Sequence, residues 1–345
     1  MIKNGTLKFL NSFAIDVCAQ CIVAANTKIE LFKFWQKAKE YSMPVIVLGS
    51  GSNVLFLENY DGTVLLNRIT GITIEERSNA WYLHVGAGEI WHNLVNICLK
   101  KRIPGLENLA LIPGRVGSAP IQNIGAYGVE LQRFCNYVDV LQLTTGKTFR
   151  LSVDECQFDY RDSIFKHSLR EEYAIISIGL QLSKFWEPVL THSDLSHLKK
   201  QKITQKTVYD IVCMLRRKKL PDPTFYGNAG SFFKNPTINI SNAATLLNCY
   251  PDTPYYPQLD KGKVKLSAGW LIDACGLKGY QLGGAAIHKR QALILININC
   301  ATGKDVAKLA HHVRQKVAEK FSVCLEPEVR FIGARGEIDA LRAIT

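Results

Sequence analysis

Three glycine-rich segments lie within the first 128 residues of this 345-residue chain, and they constrain its fold more than any other feature. The first, residues 49–53 (GSGSN), lies between two apolar runs that have the length and composition of strands. A Rossmann fingerprint needs a G-x-G-x-x-G loop that opens a helix. The first segment meets neither condition, so the sequence argues against a Rossmann nucleotide site at this position.

The other two glycine-rich segments strengthen the case for a nucleotide site of another kind. Residues 86–88 (GAG) follow a predicted strand, and residues 103–128 are dense in Gly and Pro yet too apolar for a linker. Glycine permits positive φ and close approach, so consecutive backbone N–H groups can converge on a pyrophosphate. Together the loops predict a site for an elongated dinucleotide, although residues 49–53 alone are more typical of a hairpin turn.

The rest of the chain is patterned as alternating strands and helices. Apolar spacing predicts helices at 29–41, 89–101, 206–219, 267–275 and 304–321, a hairpin at 137–143 and 148–151, and strands at 44–48, 54–57, 81–85, 292–298 and 325–332. The segment from 186 to 206 loses this periodicity and is polar and basic, so we place the main domain boundary there.

Composition excludes several classes of protein. No apolar run approaches the roughly 20 residues that span a bilayer, and the N-terminus lacks a signal peptide, so we expect a cytoplasmic protein without a membrane partner.

The ten cysteines are spread singly apart from Cys18 and Cys21, and this one C-x-x-C lacks the second pair of a zinc site. We therefore expect no metal and no disulfide framework, and most thiols in the core.

The net charge of +12 admits nucleic acid, acidic membranes or anionic small ligands as partners. The basic residues are scattered, with short clusters at 199–202 and 216–219 and no long tract interleaved with aromatics. This distribution argues against nucleic acid and favours an anionic cofactor and substrate.

Three segments contain residues that could perform chemistry, and each also has a structural explanation. Arg161 can bind a carboxylate or a developing oxyanion, but it can equally form an ion pair with a neighbouring aspartate. Ser231 can pass a proton if cations lie near it. Glu328 shares a predicted strand face with Glu326 and Arg330, so it either functions in catalysis or pairs with Arg330.

The cations that could assist Ser231 lie on the predicted helix before it. Arg216 and Lys219 are three residues apart and share a helix face that could point toward the serine. The alternative is a solvated basic helix end that interacts favourably with the helix dipole. No G-x-S-x-G motif is present, so a hydrolase nucleophile has little support.

Nearly the whole chain resembles one enzyme family in the order of its motifs. They are GSGSNVLF, VGAGEIWH, GLENLALIPGRVGSAPIQNIGAYG, YRDSIFK, LPDP, GNAGSFFKNP, AGWLID, GGAAIHKRQALILIN and LEPEVRFIG. These resemble the UDP-N-acetylenolpyruvoylglucosamine reductases (UDP-N-acetylmuramate dehydrogenases), in particular the type I form with an insertion near 186–198.

The resemblance implies an α+β fold with a two-part FAD-binding region of the vanillyl-alcohol-oxidase type, followed by an α/β substrate-binding domain. We expect FAD-binding subdomains at 1–70 and 71–200 and the substrate domain at 201–345. NADPH would reduce FAD, and hydride would then pass to the enolpyruvyl carbon of UDP-N-acetyl-3-O-(1-carboxyvinyl)-glucosamine. By resemblance, Ser231 protonates the neighbouring carbon while Arg161 and Glu328 stabilise the substrate charge.

The resemblance also assigns contact residues. FAD would contact Gly49, Ser50, Gly51, Ser52, Asn53, Gly86, Gly88, Pro113, Gly114, Gly117, Ser118, Ile121, Asn123 and Gly125. The substrate would contact Tyr127, His192, Arg216, Lys219, Asn228, Asn235, Tyr256 and Lys278. The type I pattern has LTYGDL where this chain has LTHSDL, so His192 stands where a tyrosine closes over the diphosphate.

Two other functions are compatible with parts of the sequence. A flavin-dependent oxidase of an alcohol or sugar would keep the FAD region, but the chain lacks an evident His or Cys flavin-attachment motif. A basic nucleic-acid-binding or scaffold protein would account for the isoelectric point near 9.2. The second half of the chain matches the reductase pattern, which favours the reductase.

Overall fold

The computed structural model describes residues 2–200, 203–258 and 262–344. They form two compact units. Unit 1 comprises Met1–Asn4, Gln20–Ser50 and Gly62–Lys218, and unit 2 comprises Gly5–Ala19, Gly51–Asp61 and Lys219–Thr345. Residues 201 and 202 of the basic cluster lie outside the described part, and the three-domain division stays a prediction.

The predicted helices and the predicted hairpin are all present. The helices are α1 (Lys28–Glu40), α2 (Trp91–Lys100), α3 (Gln205–Lys219), α4 (Ile240–Cys249), α5 (Ala268–Ala274), α6 (Gly303–Phe321) and α7 (Ala340–Ala343). The strands are β1 (Ile2–Thr6), β2 (Cys18–Ala25), β3 (Val45–Leu48), β4 (Val54–Phe56), β5 (Tyr60–Asn67), β6 (Ile72–Glu76), β7 (Ala80–Gly86), β8 (Gly125–Ala126), β9 (Val129–Glu130), β10 (Cys135–Gln142), β11 (Thr148–Ser152), β12 (Tyr173–Ser183), β13 (Thr237–Asn239), β14 (Tyr255–Pro257), β15 (Lys263–Leu266), β16 (Gln281–Leu282), β17 (Ala285–Ile287), β18 (Leu295–Asn297), β19 (Arg330–Gly333) and β20 (Gly336–Ile338).

Unit 1 is built around a five-stranded antiparallel sheet in the order β11-β10-β12-β7-β6. Alternate residues of β10, Val138 and Val140, are fully buried, because side chains of a strand point to opposite faces in turn. They share one apolar core with Trp91 and Leu94 of α2. This core also contains Val116, so it supports the third glycine-rich segment from beneath.

A second sheet, most of whose residues belong to unit 1, has the order β1-β2-β5-β3, with β3 and β5 parallel. Helix α1 begins where the Thr27 side chain accepts a hydrogen bond from the Glu30 N–H at 3.1 Å, which satisfies one free donor of the first turn. Its buried residues Leu31 and Trp35 pack against Leu65 of β5. This packing supports β3, at whose end the first glycine-rich segment begins.

Unit 2 has an aromatic core next to its candidate residues. Phe232 lies edge-on to Phe13, Phe233 and Phe331, with ring centroids 6.3, 5.1 and 6.0 Å apart. Such edge-to-face contacts add to the stabilisation from burial. The residue before Phe232 is Ser231, so its backbone is fixed by a fully buried neighbour.

Two predicted strands are shorter than expected. The predicted strand 325–332 is regular only from Arg330 to Gly333, because Pro327 has no N–H and cannot extend a ladder. The predicted strand 292–298 is regular only from Leu295 to Asn297, because Ile294 N–H bonds back to Gln291 in a turn (3.1 Å). The expectation that Glu326 and Glu328 share a face of a regular strand was therefore wrong.

The cysteines follow the prediction only in part. Four are buried, Cys98, Cys135, Cys156 and Cys213, whereas Cys249, Cys300 and Cys324 are exposed. All ten are free thiols. In the described part of the chain no cluster of His, Cys, Asp or Glu could hold a metal ion, and none of its helices meets the length and hydropathy of a membrane span.

The core of unit 1 predicts a specific sensitivity at Trp91. Its indole N–H donates to the Leu109 carbonyl at 3.0 Å, and the side chain is buried. We expect Trp91→Phe to lower the free energy of unfolding by about 2 kcal/mol, because the buried carbonyl loses its donor and the ring leaves a void. Urea denaturation followed by circular dichroism measures the change.

The matched control is Trp81→Phe, at a half-buried residue whose ring lies 5.3 Å from the Lys184 ammonium. We expect it to change stability by less than about 0.5 kcal/mol. Equal effects of the two substitutions would contradict the importance of the buried hydrogen bond.

Candidate active site

The parts of the three glycine-rich segments that belong to unit 1 meet at one place. A Cβ added at Gly49 would lie 3.6 Å from the Cβ of Arg115 and 3.7 Å from the Ser118 hydroxyl. Arg115 Nη1 donates to the carbonyl oxygen of Gly88. The structure thus brings Gly49, Gly88 and Ser118, predicted as cofactor contacts, next to each other.

Glycine is required here by the close approach of backbones. A Cβ at Gly88 would lie 2.4 Å from the carbonyl carbon of Arg68, and one at Gly117 would lie 2.5 Å from the Cβ of Ala87. The Gly117 N–H donates to the Ala87 carbonyl at 2.8 Å, and the Gly88 N–H donates to Ile69 at 2.7 Å. These two amides are therefore satisfied within unit 1.

Positive charge at this place comes from two arginines. Burial lowers the pKa of Arg68 to about 10, and the nearby charge of Arg115 contributes a smaller part of this decrease. Burial also lowers the pKa of Arg115, whose Nε is buried without an acceptor among the described residues. Arg68 donates to the carbonyl of Gly49 at 2.8 Å. Two crowded guanidinium groups beside glycine-rich loops fit an anionic diphosphate such as that of FAD.

The sequence prediction missed both arginines. Arg115 lies inside the IPGRVGS motif, where a lone cation among apolar residues was an available signal. Arg68 follows a strand with no motif around it, so only the folded backbone reveals its position beside Gly49.

Two other predicted cofactor residues use their side chains within the loops. Asn123 is fully buried, donates to Glu130 (3.0 Å) and to the Asp159 carbonyl (3.2 Å), and accepts from the Gln132 N–H (3.0 Å). Ser118 exchanges two hydrogen bonds with the backbone of Arg115. These side chains therefore fix the shape of the loops.

A tight hairpin formed by β8 and β9 presents Tyr127. Tyr127 and Gly128 form the two-residue turn with φ of 49° and 83°, and Ala126 pairs with Val129. Positive φ at both turn positions is the pattern of a type I′ hairpin, where Asn-Gly is usual and a bulky residue is rare. Tyr127 thus occupies a strained position, which needs support from its neighbours.

Arg161 is anchored on the same hairpin. Its Nη2 donates to the carbonyl of Gly125 at 2.8 Å, and its own carbonyl accepts from the Lys166 ammonium at 2.9 Å. Its backbone has φ of 55°, a second positive value close to the hairpin. The adjacent Asp162 pairs with His167 at 2.9 Å.

A second group of polar side chains in unit 1 surrounds Tyr127. Burial lowers the pKa of Arg216, and the charge of Arg161 acts in the same direction. The Nε of Arg216 is buried and has no acceptor in the described part of the chain. Burial raises the pKa of Tyr127, which the charge of Arg216 opposes. Arg161, Arg216 and Tyr127 therefore form one cationic group that suits an anionic ligand.

His192 belongs to this group through Tyr127. The two rings meet edge to face, with centroids 5.0 Å apart. His192 Nδ1 accepts from the Asp194 N–H at 3.2 Å and lies 3.4 Å from the Asp194 carboxylate. Of the predicted substrate residues, Tyr127, His192 and Arg216 are thus brought together with the predicted catalytic Arg161.

In unit 2, backbone pairing brings Ser231 and Glu328 into adjacent segments. The Glu328 N–H donates to the Phe232 carbonyl at 2.8 Å, and Phe233 and Pro327 form a bridge. The Asn53 side chain donates to the Glu328 carbonyl at 3.2 Å, and this contact connects the end of the first glycine-rich segment to Glu328. Ser231 and Glu328 are therefore close in unit 2, whereas Arg161 belongs to unit 1.

The expected alternative for Glu328 was a pairing with Arg330. Arg330 instead forms its ion pair with Glu337 of β20 at 2.5 Å, and its Nε donates to the same carboxylate. The antiparallel pairing of β19 and β20 brings Glu337 opposite Ile332, a pairing over a short turn that the sequence analysis did not consider.

The other predicted residues of unit 2 have varied surroundings. Asn235 Oδ1 accepts from the Ala268 N–H at 3.0 Å at the start of α5, and Lys278 pairs with Asp273 at 2.5 Å. Tyr256 is half exposed and lies opposite Lys265. Asn228 is buried, and its side chain accepts from the Gly230 N–H at 2.9 Å within its own loop.

The N-terminal segment connects the first glycine-rich segment to the loop before Ser231. The Ser12 N–H donates to the Gly51 carbonyl at 3.0 Å, and the Asn228 N–H donates to the Ser12 carbonyl at 2.8 Å. A Cβ at Gly51 would lie 2.1 Å from the Leu10 carbonyl oxygen, and its φ is 60°. The sequence prediction missed Ser12, because no motif distinguishes that segment.

Two family models match the chain. One, described as an FAD binding domain, matches residues 19–152, and the other, described as the C-terminal domain of UDP-N-acetylenolpyruvoylglucosamine reductase, matches residues 222–332. The predicted fold class, an α+β chain with an FAD-binding region followed by a second domain, is confirmed.

Curated relatives match over nearly the full length. The UDP-N-acetylenolpyruvoylglucosamine reductase of Salmonella typhimurium is 60% identical over 98% of this chain and 99% of its own. That of Escherichia coli strain K12 is 59% identical over 99% of this chain and 100% of its own.

A solved structure shares the fold. The crystal structure of the reductase from Thermus caldophilus superposes with a TM-score of 0.64 at 24% identity, covering 95% of this chain and 97% of that one. With relatives near 60% identity over the full length, the chain belongs to the UDP-N-acetylenolpyruvoylglucosamine reductase family and is an FAD-containing oxidoreductase.

Proposed function

We propose that this chain reduces UDP-N-acetylenolpyruvoylglucosamine to UDP-N-acetylmuramate for peptidoglycan precursor synthesis, with NADPH as reductant. The main structural support for this proposal is the backbone pairing between the segments of Ser231 and Glu328. The chain is also about 60% identical to UDP-N-acetylenolpyruvoylglucosamine reductases. Bound FAD supplies the hydride that NADPH has delivered to it.

The chain's own residues have distinct roles in the proposal. Ser231 donates a proton to the carbon next to the one that accepts hydride, which is general acid catalysis. Arg161, fixed by the Gly125 carbonyl, binds the substrate carboxylate through its guanidinium. Glu328 acts on the same carboxylate region through a hydrogen bond, because a second negative charge there would repel the charge that accumulates on the substrate.

The proposed cofactor contacts lie on the glycine-rich segments, with Arg68 and Arg115 added by the structure. These two cations, which donate to the carbonyls of Gly49 and Gly88, would hold the diphosphate of FAD, and the two glycines would let it approach the backbone closely. The proposed sugar-nucleotide contacts include Tyr127, His192 and Arg216, with Lys219, Asn228, Asn235, Tyr256 and Lys278 in unit 2.

The net charge of +12 fits this assignment, since both cofactor and substrate carry a diphosphate. We propose a cytoplasmic location, where these nucleotides are available, and small-molecule partners without nucleic acid.

A yellow purified protein that is bleached by NADPH and reoxidised by the enolpyruvyl substrate supports the proposal. Fast oxygen consumption without that substrate would indicate an oxidase, and a colourless protein retained on DNA a nucleic-acid-binding function.

Ser231→Ala separates the two half-reactions. We expect flavin reduction by NADPH to persist, while reoxidation by the enolpyruvyl substrate slows at least about 100-fold, because the proton donor is lost. Stopped-flow absorbance of the flavin measures both steps. Ser183→Ala, at an exposed strand end, is the control and leaves both unchanged. Equal slowing of both steps by Ser231→Ala would show that the serine is structural.

Arg115→Gln tests the cofactor site. We expect the dissociation constant of FAD to rise about 10-fold to 100-fold, because a charge-assisted contact to the diphosphate is lost. Fluorescence titration of the deflavinated protein measures it. Arg133→Gln, at an arginine that stacks on Phe134, is the control of equal charge change. Indistinguishable dissociation constants would remove Arg115 from the cofactor site.

His192→Phe tests the departure from the family pattern. A protonated imidazole attracts the diphosphate, with Asp194 beside it and Tyr127 and Arg216 as the other polar neighbours. We expect the wild-type KM for the nucleotide sugar to rise about 5-fold as pH increases through the imidazole range. In His192→Phe this dependence disappears, as initial rates across pH will show. A variant with the wild-type profile would rule His192 out.

A further inference from the structure

Asn108 is a buried amide that connects two segments far apart in sequence. It is 1% exposed, and its Nδ2 donates to the carbonyl of Tyr127 at 2.9 Å and to that of Val189 at 3.0 Å. An amide has two donor hydrogens, so both are used by these two bonds. One acceptor belongs to the strained hairpin turn, and the other lies three residues before His192.

The segment around Val189 makes further contacts with the same part of unit 1. Residues 186–195, here called the strap, begin with Trp186, whose indole N–H donates to the buried Glu107 carboxylate at 2.6 Å. A Cβ added at Gly128 would lie 2.4 Å from the Thr191 hydroxyl oxygen. The strap therefore lies directly against the hairpin turn, with Glu107 and Asn108 beneath it.

The turn itself needs such support. Tyr127 has φ of 49°, which is costly for a residue with a bulky side chain, and no regular ladder bonds its carbonyl at the tip of the hairpin. The bond from Asn108 satisfies this carbonyl and so favours the strained conformation. Because the same amide also holds the strap, one side chain sets the positions of Tyr127 and His192 together.

We propose that Asn108 is a positioning residue, which favours docking of the strap on the Tyr127 turn, the arrangement in which Tyr127 and His192 face the sugar nucleotide together. The inference rests on the proposed function, since it takes both side chains as substrate contacts. Asn108 acts through its two carbonyl acceptors and is not itself a catalytic residue. Its loss therefore weakens substrate binding more than it slows the chemical step.

Asn108→Asp keeps the shape of the side chain and replaces the donor with oxygen. We expect the KM for UDP-N-acetylenolpyruvoylglucosamine to rise about 10-fold to 100-fold, with kcat changed less than about 3-fold, because both bonds to the carbonyls are lost. We also expect faster hydrogen exchange in the peptide covering residues 186–198. Asn136→Asp, at an exposed position of β10, is the matched control and leaves both unchanged.

A second variant pair perturbs the same contact from the surface, so the test does not depend on a buried substitution. Gly128→Ala drives a Cβ into the Thr191 hydroxyl, and we expect it to raise KM and strap exchange as Asn108→Asp does. Thr191→Ala removes that oxygen and is expected to be near neutral alone. The double variant Gly128→Ala/Thr191→Ala should recover part of the loss, whereas additive losses would contradict docking of the strap on the turn.

The outcomes distinguish the inference from the proposed function. If Asn108→Asp and Gly128→Ala leave strap exchange and KM at wild-type values, the positioning role is wrong. If both variants loosen the strap but wild-type protein neither binds nor turns over the nucleotide sugar, the proposed function is wrong. A fall in kcat as large as the rise in KM would also overturn the positioning role.

Discussion

Close backbone approach at glycine is the constraint on which the candidate cofactor site depends. At Gly88 and Gly117 the facing atoms would lie within 2.5 Å of any Cβ, so no other residue permits these segments to meet. The amides of these two glycines donate to backbone carbonyls of unit 1. In the proposed cofactor site, positive charge comes from the guanidinium groups of Arg68 and Arg115, whose pKa values burial lowers.

In the proposed function, the hairpin of β8 and β9 has a comparable role for the substrate. Its first residue, Gly125, accepts the Arg161 guanidinium, and its turn presents Tyr127. Two buried asparagines support it from below, Asn123 near its start and Asn108 at its turn. The Nδ2 group of each amide donates to two acceptors, so any displacement leaves a buried donor without a partner. A substrate carboxylate and a phosphate would thus meet preorganised groups.

Much of the fold could be predicted from the sequence because its signals are local. The period of apolar residues in α6 and the alternation in β10 arise from neighbours within a few positions, as do turn residues such as Thr145-Gly146. The late start of β19, at Arg330 rather than at residue 325, also has a local cause in the sequence, Pro327, which the strand prediction did not take into account.

The supporting residues could not be predicted because their contacts are long-range. Asn108 and Val189 are 81 positions apart, and Arg68 lies 19 positions from Gly49 with no motif to mark it. The resemblance named Tyr127 and His192 but gave no reason for their proximity. Such contacts depend on which distant segments of the chain the fold brings together, and neither the apolar periodicity nor the turn residues of a sequence specify this.

The histidine at position 192 is compatible with its surroundings because of one carboxylate. Arg161 and Arg216 already crowd this part of unit 1, and a third cation would be unfavourable without compensation. Asp194, 3.4 Å from the imidazole, supplies it, and the edge-to-face contact with Tyr127 fixes the ring. When the His192 imidazole is neutral, the charged groups here are two guanidinium groups and one carboxylate. When the imidazole is protonated, it adds one positive charge to them. In the proposed function, protonation of this ring would add to the attraction for a diphosphate that the two arginines already provide, a dependence that a tyrosine at this position would not have near neutral pH.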